Sequence, residues 1–216
     1  MIKAILFDMD GLLVDTERLG IRVAVQVCKD LGIDLDLEEQ RNFIGVTDEK
    51  FYQELFKKRG LNHDIVSVLK RHFGTYEKLL TTELKAFEAA HTLPKIVKAK
   101  GYKLALVSGS TKNQIDVILE QLKIKNDFDV IVSCDEIVKS KPDPEGYLTA
   151  AKKLEVEPTE CLVFEDARTG VLAAKNAGMK VVGVVNAGGQ DLSSADFVIE
   201  SLAGAETNSK IFEDKK

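Results

Sequence analysis

The chain has 216 residues, 44% of them hydrophobic, and a net charge of −5, which suffices for one large domain or one domain carrying a smaller insert. Acidic and basic residues are interspersed with no basic block, which argues against nucleic acid or anionic membrane as a principal partner, and no apolar run approaches a membrane span. The start lacks the basic and long apolar regions of a secretory signal, so a soluble, cytoplasmic monomer is expected.

The first element is an unbroken apolar run, Ala4 to Phe7, that ends in "DMDGLLVD". Continuous rather than alternating hydrophobicity predicts a strand covered on both faces, as in a parallel sheet. Residues i and i+2 of a strand end point to one side, so Asp8 and Asp10 are expected to converge just beyond the sheet, with Gly11 freeing the chain to turn away. Asp15 and Thr16 suit an N-cap and a hinge into a helix. From there to about Thr82 the pattern is helical throughout. Ala24, Val27, Cys28 and Leu31 end at Gly32, Phe51, Leu55 and Phe56 end before Gly60, and Ile65, Val68, Leu69, His72 and Tyr76 follow.

Four further apolar runs come later: Leu104 to Val107, Val130 to Val132, Leu162 to Phe164 and Val181 to Val185. Between them lie helical stripes at Ile115, Ile118, Leu119 and Leu122, at Tyr147, Leu148, Ala151 and Leu154, and at Ala167, Val171 and Ala174 leading to Gly178 as a C-cap. The alternation predicts an α/β protein with a doubly wound, Rossmann-like parallel sheet and a small helical cap domain inserted after the first strand. We place the core at residues 1–15 and 83–216 and the cap at 16–82. The polar segment "AETNSKIFEDKK" at 205–216 is expected to fray in part. Cys28, Cys134 and Cys161 read as inert small core residues, and His63, His72 and His91 have no ligand spacing, with His72 read as a core residue.

In such sheets, ligands sit beyond the carboxyl ends of the strands. There the sequence puts Asp8 and Asp10, then Ser108 and Gly109 of "LVSGS" before a helix start near Thr111, then Lys141 of "SKPDP", then Glu165 and Asp166 of "VFEDARTG". Each signal alone is bland: a solvated turn, a helix cap, a stiffened loop. Together, in order and each at or beside a strand end, they point to chemistry. Asp8, Glu165 and Asp166 offer hard oxygen ligands for Mg²⁺, and Ser108, backbone N–H groups at the helix start and Lys141 suit phosphoryl oxygens. A carboxylate such as Asp8 can form a covalent phospho-enzyme, with Asp10 as general acid and then base.

The four segments "DMDGLLVD", "LVSGS", "KSKPDP" and "VFEDARTG" resemble the four motifs of the haloacid dehalogenase superfamily, and the insert resembles its helical C1 cap. The resemblance covers nearly the whole chain and is similar to the branch containing β-phosphoglucomutase, phosphoglycolate phosphatase and sugar-phosphate phosphatases. It implies Asp8 as nucleophile, Asp10 as acid/base, and Ser108 and Lys141 as phosphate binders. It also implies Asp8, Asp166 and the Asp10 carbonyl as Mg²⁺ ligands, with Glu165 helping through the metal shell. Lys141 is preferred over Lys139 because the family lysine directly precedes the proline. The cap would close on hinges near Asp15, Thr16 and Thr82.

Two departures separate the chain from a mutase. Where β-phosphoglucomutase has a cap-helix histidine and a phosphate-gripping arginine, this chain has Gly20 and Asp48. The expected activity is therefore a Mg²⁺-dependent phosphatase acting on a small phosphorylated metabolite, in particular a sugar phosphate, through an aspartyl-phosphate. A sugar phosphomutase is the first alternative, and a phospho-acceptor signalling or binding module without turnover is the second. Selectivity is expected from the stretch Gly45 to Lys50, especially Thr47 and Lys50, together with Arg18.

Overall fold

Ala4, Ile5, Leu6 and Phe7 are all fully buried and form the first strand, β1 (Ala4–Phe7). The computed structural model describes residues 1–43, 46–186 and 188–212. Parallel strands β2 (Lys103–Val107), β3 (Val130–Val132), β4 (Cys161–Glu165), β5 (Lys180–Val184) and β6 (Phe197–Ile199) complete a sheet of order β3-β2-β1-β4-β5-β6 among the described residues. This is the doubly wound order, in which the direction of winding reverses beside β1. Ala4 and Leu6 join the cluster built with Tyr147, Ala150, Leu154, Val171 and Ala174, whereas Phe7 on the other face stacks on Phe164 of β4 at 5.3 Å. Both faces being covered explains why the strands read as continuous apolar runs.

The register aims the site. Phe7 pairs with both Leu106 and Phe164, so the residues that follow β1, β2 and β4 emerge side by side. The helices of this unit are α5 (Leu93–Ala99), α6 (Lys112–Leu122), α7 (Glu145–Leu154), α8 (Arg168–Asn176) and α9 (Ser209–Phe212), numbered after the four helices of the insert. Thr111 caps α6 through a capping box with Gln114. The buried stripe of α7 is Tyr147, Ala150, Ala151 and Leu154; Leu148, expected in that stripe, is 40% exposed because it points away from the sheet. Residues 205–212 form a turn and α9, with Ile211 buried and Phe212 against Tyr102, and residues 213–216 of the segment expected to fray in part lie outside those described. Strand β6 and α5 left little trace in the sequence, since β6 is three half-buried or exposed residues and α5 is barely two turns.

The chain divides into two compact units, Met1–Val14 with Ala86–Lys216, and Asp15–Lys85. The divisions fall at 14/15 and 85/86 rather than 15/16 and 82/83. Asp15 caps the first insert helix by accepting from Arg18 N–H, and Thr82, expected near a hinge, lies within the last turn of a helix that continues to Glu83.

The insert comprises α1 (Thr16–Asp30), α2 (Leu37–Arg41), α3 (Asp48–Arg59) and α4 (Ile65–Glu83). Its core joins Val23, Val27, Phe43, Phe51, Tyr52 and Phe56. Gly20 is the point of closest approach in this unit. A Cβ there would lie 2.7 Å from the Phe43 ring, so only glycine admits that ring without displacement. His72 is a buried core residue whose Nδ1 is 2.9 Å from the Tyr52 hydroxyl and whose Nε2 is 3.5 Å from Asp48 Oδ1.

Burial lowers the His72 pKa below the ordinary histidine value of 6.5, with Asp48 opposing the shift. The unfolded chain then binds a proton more readily than the folded one, so stability is full above about pH 6.5 and falls as pH drops toward the depressed value. We expect the melting temperature of His72→Gln to decline less steeply than wild type between pH 7 and pH 5. Parallel slopes would show that His72 titrates normally.

Candidate active site

Asp8 follows β1 and is 5% exposed, with its N–H donating to Phe164 O (3.1 Å). Its Oδ1 is 2.5 Å from Lys141 Nζ, and Lys141 also reaches Glu165 Oε1 at 2.6 Å and Val107 O at 3.3 Å. The lysine thus ties the ends of β1, β2 and β4 together. Burial pushes the Asp8 carboxyl well above the usual carboxylate range, against the pull of Lys141 and with the help of Glu165, Asp166 and Asp10. Burial disfavours the Lys141 ammonium, yet Asp8 and Glu165 outweigh it and hold its pKa well above that of an ordinary lysine.

Glu165 is saturated. Its Oε1 accepts from Lys141 and from the Tyr147 hydroxyl (2.9 Å), and its Oε2 accepts from the backbone N–H groups of Asp166 and Ala167, both at 3.0 Å. The Lys141 ammonium also sits 5.1 Å from the centre of the Tyr147 ring. Glu165 is thus, in this arrangement, the anchor of the lysine and of the turn into α8.

Asp166 is aimed differently. Its Oδ2 accepts from Asn186 Nδ2 (2.6 Å), while Oδ1 is buried with no hydrogen-bond partner. Burial and the nearby Glu165 push its carboxyl up to about 7. Oxygens of Asp8, Glu165 and Asp166 lie within 4.8 Å of one another. An orphaned buried oxygen amid carboxylates, balanced locally by one ammonium, fits a hard divalent cation. Gly11 makes this approach possible: its φ is +83°, and a Cβ there would sit 2.2 Å from Asp166 Oδ2.

Asp10 does not turn toward Lys141. Its Oδ2 accepts from Ser108 Oγ (2.8 Å) and from Ser110 Oγ (2.9 Å). Ser108 is buried, and its Oγ accepts from Ser110 N–H at 2.9 Å; Gly109 is exposed at the turn ahead of α6. The core unit thus gathers Asp8, Asp10, Ser108, Gly109, Lys141, Glu165 and Asp166 at the carboxyl edge of the sheet. Ser110, Tyr147 and Asn186 were not foreseen as site residues. Ser110 sits in a stretch of hydroxyls that looks like a cap, Tyr147 reads as a core stripe, and Asn186 belongs to the loop after β5. Cys134, expected in the core, is only half-buried on a short turn after β3, while Cys28 and Cys161 are buried.

The proposed selectivity residues all belong to the helical unit. Arg18 bonds within it, donating Nη2–H to Glu83 O (2.9 Å) with Nε 3.4 Å from Asp15 Oδ2, which links the two ends of the insert. Thr47 Oγ1 caps α3 by accepting from Lys50 N–H, and Lys50 is exposed beside Glu54. Gly45 lies outside the described residues.

A doubly wound sheet whose carboxyl edge gathers buried carboxylates, with one lysine tying three strand ends, marks the candidate active site of an α/β protein. Residues 5–184 match the profile of the haloacid dehalogenase-like hydrolases, and the chain belongs to that family. It is 32% identical over 185 residues to the phosphorylated carbohydrates phosphatase of Thermotoga maritima (85% of this chain, 86% of that one). It is 30% identical over 208 residues to β-phosphoglucomutase of Bacillus subtilis (93% and 90%). A Thermotoga maritima crystal structure named for β-phosphoglucomutase superposes with a TM-score of 0.83 at 31% identity, covering 92% of this chain and 94% of that one. The protein is an enzyme of phosphate-ester chemistry, which removes the reading as a module without turnover. Among the described residues no helix is long and apolar enough to cross a membrane.

Gly170 tests the Glu165 anchor. A Cβ there would fall 1.6 Å from Glu165 Oε1 and 2.0 Å from its Cδ, and a carboxylate held by four donors has nowhere to move. We expect Gly170→Ala to lose about 3–5 kcal/mol in urea unfolding, the usual effect of breaking a buried ion pair. Gly74→Ala, in α4 with nothing within 4 Å, should gain about 0.5–1 kcal/mol. Equal stabilities for the two variants would contradict the anchor.

Proposed function

We propose that the protein is a Mg²⁺-dependent phosphatase that hydrolyses small sugar phosphates through an aspartyl-phosphate on Asp8. The observation that carries this reading is the pairing of two unlike carboxylates. Asp8 is held against Lys141, and Asp10 is held separately by Ser108 and Ser110, so one can attack phosphorus while the other handles protons. The phosphatase name of the Thermotoga relative, which acts on phosphorylated carbohydrates, supports the substrate class.

Asp8, Asp166 and the Asp10 backbone carbonyl are the groups we assign to the metal, with Glu165 behind them holding Lys141. A bound Mg²⁺ supplies charge neutralisation at the phosphoryl oxygens. The chain supplies the rest. Lys141, the Ser108 hydroxyl and the backbone of Gly109 bind and orient the phosphoryl group, and Asp8 attacks it in line. Asp10 gives a proton to the departing alcohol and then takes one from the water that cleaves the phospho-aspartate.

A mutase reading is favoured by the likeness to β-phosphoglucomutase of Bacillus subtilis. Against it stand Gly20, whose place is filled by the Phe43 ring, and Asp48, an acid beside His72 where a phosphate clamp would need a cation. Without that clamp a bisphosphate is poorly retained, and water discharges the phospho-enzyme.

The test is release of inorganic phosphate from glucose 6-phosphate, fructose 6-phosphate, ribose 5-phosphate and glycerol 3-phosphate. We expect multiple turnovers with Mg²⁺, none after chelation with EDTA, and losses of about 10²-fold or more in Asp8→Asn and Asp10→Asn. Radiolabelled phosphate should be trapped on wild type by acid quenching and be missing from Asp8→Asn. Interconversion of glucose 1- and 6-phosphates with little free phosphate would replace this reading by the mutase.

A further inference from the structure

Two hydroxyls converge on one oxygen of Asp10. Ser108 Oγ and Ser110 Oγ lie 2.8 and 2.9 Å from Oδ2. Ser110 is fixed from both sides of its backbone, its N–H donating to Ser108 Oγ (2.9 Å) and its carbonyl accepting from Cys134 N–H (3.1 Å). Its side chain is thus delivered to Asp10 by a rigid turn joined to the end of β3.

A hydroxyl has one proton to donate. Ser108 can give its proton to Asp10 or to a phosphoryl oxygen, not to both at once. When Ser108 turns to the phosphoryl group, Ser110 is left as the hydroxyl that keeps the Asp10 carboxyl in place. An oxygen that already accepts from serine is also poorly placed to carry the mobile proton, which leaves Oδ1 as the exchanging oxygen.

We propose that Ser110 is a positioning residue for the acid–base step, holding Oδ2 of Asp10 so that Oδ1 exchanges protons with the leaving alcohol and with water. This rests on the reading of Asp8 as nucleophile and Asp10 as acid and base. In the first half-reaction the bond from Asp8 oxygen to phosphorus forms, the ester P–O bond breaks, and the Oδ1 proton passes to the alkoxide. In the second, the water oxygen bonds to phosphorus, the Asp8–phosphorus bond breaks, and a water proton returns to Oδ1.

The role predicts a dependence on the leaving group. A sugar alkoxide departs only with a proton, whereas 4-nitrophenolate leaves without one. We would compare kcat/KM for the sugar phosphate turned over fastest in the panel above with that for 4-nitrophenyl phosphate, using wild type, Ser110→Ala, Ser110→Thr and Asp10→Asn. Ser110→Ala should lose about tenfold or more on the sugar phosphate and less than about threefold on the aryl ester, a part of the 10²–10⁴-fold that a general acid contributes. Ser110→Thr keeps the hydroxyl and should restore the sugar-phosphate rate. Equal losses on both esters, or no loss on either, would overturn the role of Ser110 provided Asp10→Asn is selective. An unselective Asp10→Asn would instead bring down the acid–base reading on which the proposal stands.

Discussion

The ammonium of Lys141 is the constraint on which the rest depends. It reaches a carboxylate at the end of β1, another at the end of β4 and a carbonyl at the end of β2. Burying Asp8, Glu165 and Asp166 within one pocket is unfavourable unless opposite charge and hydrogen bonds accompany them. Burial, reinforced by the neighbouring carboxylates, keeps the Asp8 and Asp166 carboxyls raised, and one lysine offsets only part of this. The remaining imbalance is what suits these oxygens to a hard cation, the role we propose for Mg²⁺.

Glu165 shows how the fold supports that lysine. Its two oxygens take four donors from α7, the loop before α7 and the entry to α8. The two glycines that flank the acidic cluster act by leaving room: Gly170 for the Glu165 carboxylate and Gly11 for that of Asp166. The site is therefore specified as much by missing side chains as by present ones. Its parts are also divided, with Lys141 joining Asp8 to Glu165 and the serine turn holding Asp10.

The helical unit follows the same logic of close approach. Gly20 gives its space to Phe43, and Asp48 faces the buried His72. A histidine at residue 20 would need the Phe43 ring to move, and a cation at residue 48 would meet the His72 ring in place of the present acid. Both positions are built into the packing of the insert, so a substitution at either would disturb its neighbours.

Much of this was legible in the sequence because local patterns carry it. Buried parallel strands must be apolar on both faces, so the runs at Ala4 to Phe7, Leu104 to Val107 and Leu162 to Phe164 announce themselves, and the acids and serine that follow them stand out against that background. Other features depended on which surfaces meet. Strand β6 is too short to show a period, Leu148 fits the α7 stripe yet points outward, and Ser110, Tyr147 and Asn186 carry no local mark of their roles. The amino-acid order by itself determined the α/β alternation and the residues that reach the carboxyl edge of the sheet, since burial and spacing act along the chain. Only the tertiary structure decided which oxygen each donor serves, because a hydrogen bond between residues about a hundred positions apart, such as Ser110 to Asp10, depends on distances that no local pattern encodes.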